Sequence, residues 1–263
     1  MPLKTLLMCH EREELDSDSL ARWLASKTSL AGILIIHEKP TRMFKRIRRE
    51  IKRVGVLRFL DVFAFKVYYR VFISRKDRLW IKRTVASFKS SFPDLDPHLP
   101  ILRTHNPNTP EARRFIAELR PDIAIARCKA ILKEEIFSIP KVGTFVMHPG
   151  VCPEYRNAHG CFWALAEGRR DLVGMTLLKV DSGVDTGPVF GYFSCEFDER
   201  SESHIVIQHR VVLDNLESIA ARLHEIADGR ATPVATNGRK SGEWGQPWLS
   251  SYLRINRAAR VAQ

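Results

Sequence analysis

The chain has 263 residues, 44% of them hydrophobic, and a net charge of +12. No run of 18 apolar residues occurs, which excludes a membrane-spanning helix; the five cysteines are odd in number, widely spaced and show no C-x-x-C pair, so neither a zinc site nor a disulfide framework is suggested. One large α/β domain, or one domain with a small appendage, fits that length. The apolar part of the opening MPLKTLLMCHEREEL is too short for a secretory signal, so a cytoplasmic protein with reduced cysteines is expected.

Residues Thr5 to Cys9 (TLLMC) predict a first buried strand, and Asp18 or Ser19 is placed to cap a helix through Leu20, Trp23 and Leu24. Gly32 to Ile36 (GILII) predicts a second buried strand, so the start of the chain reads as a βαβ unit with a parallel sheet. From Lys39 to Lys89 there are seventeen Lys or Arg against three acids, an excess larger than the whole net charge. Such an excess either attracts anions or forms a solvated helical face. In the same stretch, Ile47, Ile51, Val54, Leu57, Leu60, Phe63, Val67 and Val71 recur every three or four positions. That period predicts one or two amphipathic helices, inserted into the sheet domain and packed on it by their apolar side.

After a proline-punctuated loop, Ile101 to Thr104 predicts a short strand. Asn108 or Thr109 starts a helix with Pro110 at its first position and Glu111 in its first turn. Asp122 to Ala126 and Gly143 to Met147 predict two more buried strands, with a short helix at Leu132 to Phe137 between them. A helix at Asn157 to Glu167 follows. Gly174 to Val180 and Val189 to Phe197 read as antiparallel strands around the loop DSGVDTGP. Ser203 to Ile226 reads as one long helix, and the tail from Gly229 as loop-rich, with Trp244, Trp248 and Tyr252 serving to pack it.

The chemistry concentrates between Met147 and Phe190. His148 falls where a predicted parallel strand ends, the edge at which open α/β sheets bind ligands, and Pro149-Gly150 then turns the chain. The loop from Asp181 to Gly187 carries two acids and two glycines. Titratable groups on fixed turns are a means of holding an acid and a base in place. No G-x-G-x-x-G or G-x-x-x-x-G-K-[ST] occurs, so phosphate loops of those kinds are not indicated.

HPGVCPEYRNAHG followed by GMTLLKVDSGVDTGPVF resembles the folate-dependent formyltransferases, whose signature is N-x-H-P-S-L-L-P-x-Y-R-G and then a D-x-G-x-D-x-G-P loop. The resemblance is dense over Gly143 to Val189, collinear but weaker over Pro121 to Leu132, and only a likeness of fold from Thr5 to Ile36. It implies a Rossmann-like α/β domain with a mainly parallel central sheet over residues 1–228, carrying the basic helical insertion at about 40–92, and a tail over 229–263 packed on it. It implies formyl transfer from 10-formyltetrahydrofolate to an amine, with no metal, and it places the catalytic pair on His148 and Asp185.

The family's asparagine falls on Val146, which has no hydrogen to donate to the formyl oxygen; losing one such donor costs roughly 10²–10³ in rate. Another donor then substitutes, or the reaction differs, or catalysis is lost. Asn157 and His159 are further candidates for catalysis or acceptor binding. Cys128, Lys129, Ala130, Ile131 and Leu132, with Asp181, Gly183 and Val184 of the acidic loop, are the expected donor-binding residues. Ile131 and Leu132 would line an apolar pterin slot, while Arg127 and Lys129 meet the folate glutamate, an anionic acceptor, or solvent.

The expected acceptor is a small anionic amine. Methionyl-tRNA is less favoured, since only about 35 residues follow the last predicted helix where tRNA-directed members carry a β-domain. The alternatives are a formyltetrahydrofolate hydrolase, in which water replaces the amine, and a catalytically impaired ligand-binding homologue. The basic helices leave open peripheral membrane contact through residues 40–89, with nucleic acid not favoured.

Overall fold

The computed structural model describes residues 2–37 and 42–261, without the side chains of 42–46 and 261. Lys39, and the beginning of the insertion expected near residue 40, lie outside the described residues, as do the side chains of Arg42, Lys45 and Arg46. β1 (Lys4–His10) leads through a π-helical turn at Leu15–Leu20 into α1 (Ala21–Lys27) and β2 (Ser29–Ile36). Asp18 and Ser19 lie inside that turn and not at a cap, because the helical backbone already starts at Leu15.

The insertion follows as α2 (Arg42–Tyr68), a π-helical turn at Tyr69–Ile73, and α3 (Ser74–Ser91). Gly55 breaks α2 with φ 80° and ψ 165°, a conformation that glycine enters without a Cβ penalty. Next come β3 (Ile101–Thr104), α4 (Pro110–Leu119), β4 (Ile123–Arg127), α5 (Glu134–Phe137) and β5 (Gly143–His148). Thr109, not Asn108, caps α4: its hydroxyl accepts the Ala112 N–H at 3.2 Å.

The chain then forms β6 (Arg156–Asn157), α6 (Gly160–Ala166), β7 (Met175–Lys179) and β8 (Val189–Phe193). The long helix expected after Ser203 is two helices, α7 (His204–Leu213) and α8 (Leu216–Ala227). The break falls at Asn215, whose amide donates to the Ser194 carbonyl at 2.9 Å and so ties the junction to the sheet side. The tail is less loop-like than expected: β9 (Glu243–Trp244) pairs with β6, and α9 (Leu249–Val261) packs on α2 and α6.

The main sheet has seven strands in the order β3-β2-β1-β4-β5-β7-β8. Its first five strands are mutually parallel, and β7 and β8 add on antiparallel to β5 and to each other. Alternation along each strand separates two cores. Leu7, Cys9, Ile125, Phe145 and Met147 face α1, α6, α7 and α8, while Leu6, Met8, Ala124 and Ala126 face α4 and α5. The chain order jumps from β1 to β2 on one side and to β4 on the other, a switch point at the carboxyl edge. β5, next to it, delivers His148 to that edge with Val146 two residues back on the same face.

Candidate active site

His148 is the last residue of β5 and is buried. Its Nε2 lies 2.8 Å from the Tyr155 carbonyl oxygen. A carbonyl only accepts, so Nε2 carries a hydrogen and Nδ1 is the nitrogen left for chemistry. Nδ1 lies 3.4 Å from Oδ2 of Asp185. The same Oδ2 accepts the backbone N–H of Asn157 at 2.8 Å, and Oδ1 makes no hydrogen bond among the described residues. The carboxylate is thus held by one oxygen and open at the other.

Close backbone approach makes this possible. A Cβ on Gly150 would lie 2.5 Å from the Tyr155 oxygen and 2.7 Å from Nε2 of His148, so only glycine leaves room for that bond. On the other side, Asp185 adopts φ 52° and Asn157 φ 78°, left-handed conformations rare outside glycine but tolerated best by these two residue types. His159 shares this, at φ 57°. Three of the four non-glycine residues with positive φ among the described residues therefore cluster where the acidic loop meets β6 and α6.

The loop is self-braced. Oδ1 of Asp181 accepts the Gly183 N–H at 3.0 Å and the Thr186 hydroxyl at 2.8 Å, and the Val184 carbonyl accepts from the Arg156 guanidinium at 2.9 Å. Asp181, Gly183 and Val184 thus shape the loop that aims Asp185. The Asn157 amide donates to the Trp244 carbonyl at 2.7 Å, so its side chain engages β9.

His159 turns toward His204, their rings 5.8 Å apart, and Nδ1 of each is buried without a partner among the described residues. Burial pushes the His159 imidazole down to about 4, and burial, then the neighbouring His159, pushes His204 well below the usual range. Both rings are neutral at pH 7.

The segment after β4 lies beside His148 on the same sheet edge, because β4 pairs with β5. Ile131 is 65% exposed, an isolated apolar side chain on that edge, while Leu132 is buried. Asn108 clamps the segment, donating to the Ile131 carbonyl and accepting the Lys133 N–H, each at 2.8 Å. The Cys128 thiol, which donates to the Ala130 carbonyl, is pushed up to about 11 by burial and stays protonated. The Lys129 ammonium meets Glu13 at 2.9 Å in the open, and its backbone N–H donates to Nε2 of His10.

Arg127 is not available to a ligand: it pairs with Asp16 at 3.0 Å and donates to the Met147 carbonyl at 2.6 Å, both side chains largely buried. A charge at the end of a buried strand requires such a partner, and that requirement was the only sequence signal for the pair. His10 gave none, since it acts through a contact distant in sequence; Tyr155 falls on the tyrosine of the family pattern, but nothing in the sequence announced that its carbonyl would be the acting group. Val146 packs against Cys152, Leu178, Val189 and Tyr192 and presents no donor.

A mostly parallel sheet with helices on both faces, and a histidine–carboxylate pair at its carboxyl edge beside the switch point, defines a Rossmann-like α/β protein. The chain belongs to the formyl transferase family, whose model matches residues 64–221, more than half of the sequence. It is 30% identical over 140 residues to the methionyl-tRNA formyltransferase of Mycobacterium avium (strain 104), covering 53% of this chain and 44% of that one. The chain thus spans less than half the length of that relative.

Solved structures share the fold. A phosphoribosylglycinamide formyltransferase from Anaplasma phagocytophilum has a TM-score of 0.54 at 13% identity, with 94% of this chain and 100% of that one covered. A sugar N-formyltransferase from Shewanella has a TM-score of 0.53 at 12% identity, with 92% and 76% covered.

Proposed function

We propose that this chain moves the formyl group of 10-formyltetrahydrofolate to the amine of a small anionic acceptor, with His148 and Asp185 handling the protons. The observation that carries this reading is the 3.4 Å approach of Nδ1 of His148 to Oδ2 of Asp185 at the carboxyl edge of the sheet. The acceptor nitrogen bonds to the formyl carbon, the bond from that carbon to N10 of the folate breaks, and one proton passes from the amine to N10.

Each group has a task that its contacts allow. Oδ1 of Asp185, without a hydrogen bond among the described residues, takes the amine proton, while the Asn157 N–H holds Oδ2 in place. Nδ1 of His148 supplies a proton or hydrogen bond toward the formyl oxygen, since Nε2 is committed to Tyr155. Ile131 offers an apolar surface for the pterin, and Lys129, 67% exposed, offers charge to the folate glutamate or to an anionic acceptor.

Incubation with 10-formyltetrahydrofolate and a panel of amino-sugar nucleotides tests the reading. Acceptor-dependent formation of tetrahydrofolate supports it. Free formate without an acceptor identifies a hydrolase instead, and unchanged donor under all conditions contradicts both.

One observation favours a second reading. Val146 is seated in an apolar cluster on the face that carries His148, so the site lacks one donor toward the formyl oxygen. A homologue that binds the folate and transfers its formyl group poorly is the consequence.

A further inference from the structure

The insertion has two apolar sides, and the body of the protein uses only one. In α2 beyond Gly55, Val62 and Phe65 are buried, with the Phe65 ring 5.9 Å from Phe162, 5.4 Å from His204 and 5.3 Å from Tyr252. The other side carries Val56, Leu60, Phe63 and Val67, all exposed and spaced i, i+4, i+7, i+11. At about 100° per residue these four fall on one stripe, roughly opposite Val62 and Phe65. Leu57 beside the stripe is 84% exposed, and Phe72 at the turn beyond it is 70% exposed. A row of large apolar side chains in water marks an interaction surface.

The charges around the stripe say what covers it. The segment has three acids, and each is already engaged. Glu50 accepts from Arg53 at 2.6 Å, Asp61 accepts the Ser250 N–H at 3.0 Å at the start of α9, and Asp77 accepts from Tyr69 at 2.8 Å and Ser203 at 2.7 Å. Lys66 and Arg70 flank the stripe, are exposed, and form no ion pair among the described residues; Arg49 and Lys52, before the kink, do the same. These four cations have no ion-pair partner among the described residues. A second copy would bring an identical positive field against the first. A nucleic acid would satisfy the cations but leave aliphatic side chains against sugar and phosphate. An anionic lipid surface satisfies both, taking the stripe among its acyl chains and the cations at its headgroups.

We propose that the outer side of α2 docks this chain on an anionic membrane surface, through Val56, Leu60, Phe63 and Val67 with Lys66 and Arg70 at the headgroups. The proposal stands apart from the catalytic reading: it uses the opposite side of α2 from the one packed on the protein body.

Flotation of the full chain with vesicles tests it. The chain is expected to float with phosphatidylcholine vesicles containing phosphatidylglycerol and to bind pure phosphatidylcholine at least about tenfold more weakly, with added salt narrowing the gap. Leu60→Ser with Phe63→Ser, and separately Lys66→Glu with Arg70→Glu, are each expected to lower binding about tenfold or more while leaving the thermal unfolding midpoint within a few degrees. Absence of flotation overturns the proposal. So does flotation unchanged by both pairs of substitutions, or a dimer in light scattering that the serine pair dissociates while vesicles go unbound.

Discussion

Oδ2 of Asp185 is shared between Nδ1 of His148, at 3.4 Å, and the backbone N–H of Asn157, at 2.8 Å. A carboxylate fixed this way keeps its orientation when a substrate approaches, and its second oxygen is the free one. The N–H contact also explains why Asn157 sits with φ 78°: that turn aims its amide back at the loop.

Asp185→Asn tests the charge without the shape. Asparagine tolerates the left-handed backbone at φ 52° and can still accept the Asn157 N–H, so the fold is expected to survive with a thermal midpoint within a few degrees of the parent. Formyl transfer should fall roughly 10²–10⁴-fold, as for loss of a positioned base. Steady-state kinetics beside a melting curve reads both quantities.

Gly150→Ala attacks the other side of the pair. The new methyl would press on the Tyr155 oxygen and on Nε2 of His148. A stability loss of about 1–3 kcal/mol is expected, with activity falling further than the stability change explains, because the ring must shift. Denaturant titration together with rates at saturating folded protein separates the two effects.

Val146→Asn restores the family's donor in a site built for an apolar side chain. Its amide would enter the cluster of Cys152, Leu178 and Val189 unless it turns toward the cleft. Stability is expected to drop by about 1–3 kcal/mol. If the missing donor limits the rate, turnover should rise toward the roughly 10²–10³ that such a donor supplies. Equal turnover in both chains would show that another group already fills the role.

His159 and His204 predict acid sensitivity. Buried neutral imidazoles have folded pKa values below the unfolded value of 6.5, with His159 at about 4. The unfolded chain therefore binds more protons between those limits, and stability falls as pH drops through that window. The stabilisation is fully present above pH 6.5, and for His159 alone the loss amounts to roughly 3 kcal/mol by pH 4. Melting curves from pH 7.5 to pH 4.5, on the parent and on His204→Leu, should show a smaller acid loss in the variant.

The parallel half of the sheet was legible because β1, β2, β4 and β5 are buried on both faces and read as apolar runs. The antiparallel addition was legible from the two strands around DSGVDTGP. Features set by distant contacts were hidden. α9 follows a glycine- and proline-rich stretch, and its partners are helices remote in sequence; Asp61 meets its first turn. The Asn215 break depends on the Ser194 carbonyl. The insertion's period announced helices but pointed to the wrong packing side: of the residues that carry it, Leu57, Leu60, Phe63, Val67 and Val71 face water, and Val62 and Phe65, outside the period, pack on the body, because apolar residues occupy both sides of α2. At the site, His148 and Asp185 stood out by residue type and by the family pattern. The groups that orient them were only partly legible: Tyr155 falls on the tyrosine of the family pattern and Asn157 was a candidate by its side chain, but both act through backbone atoms that any residue possesses.

A formyl-bearing folate is expected to bind at the His148–Asp185 pair. The most direct test of that binding follows the histidine ring resonances by NMR during titration with a 10-formyl folate analogue that cannot transfer its formyl group. Saturable movement of the His148 signals, with the buried His204 ring unmoved, is the result this account predicts. Saturation without any change at His148, or no saturation at all, would contradict it.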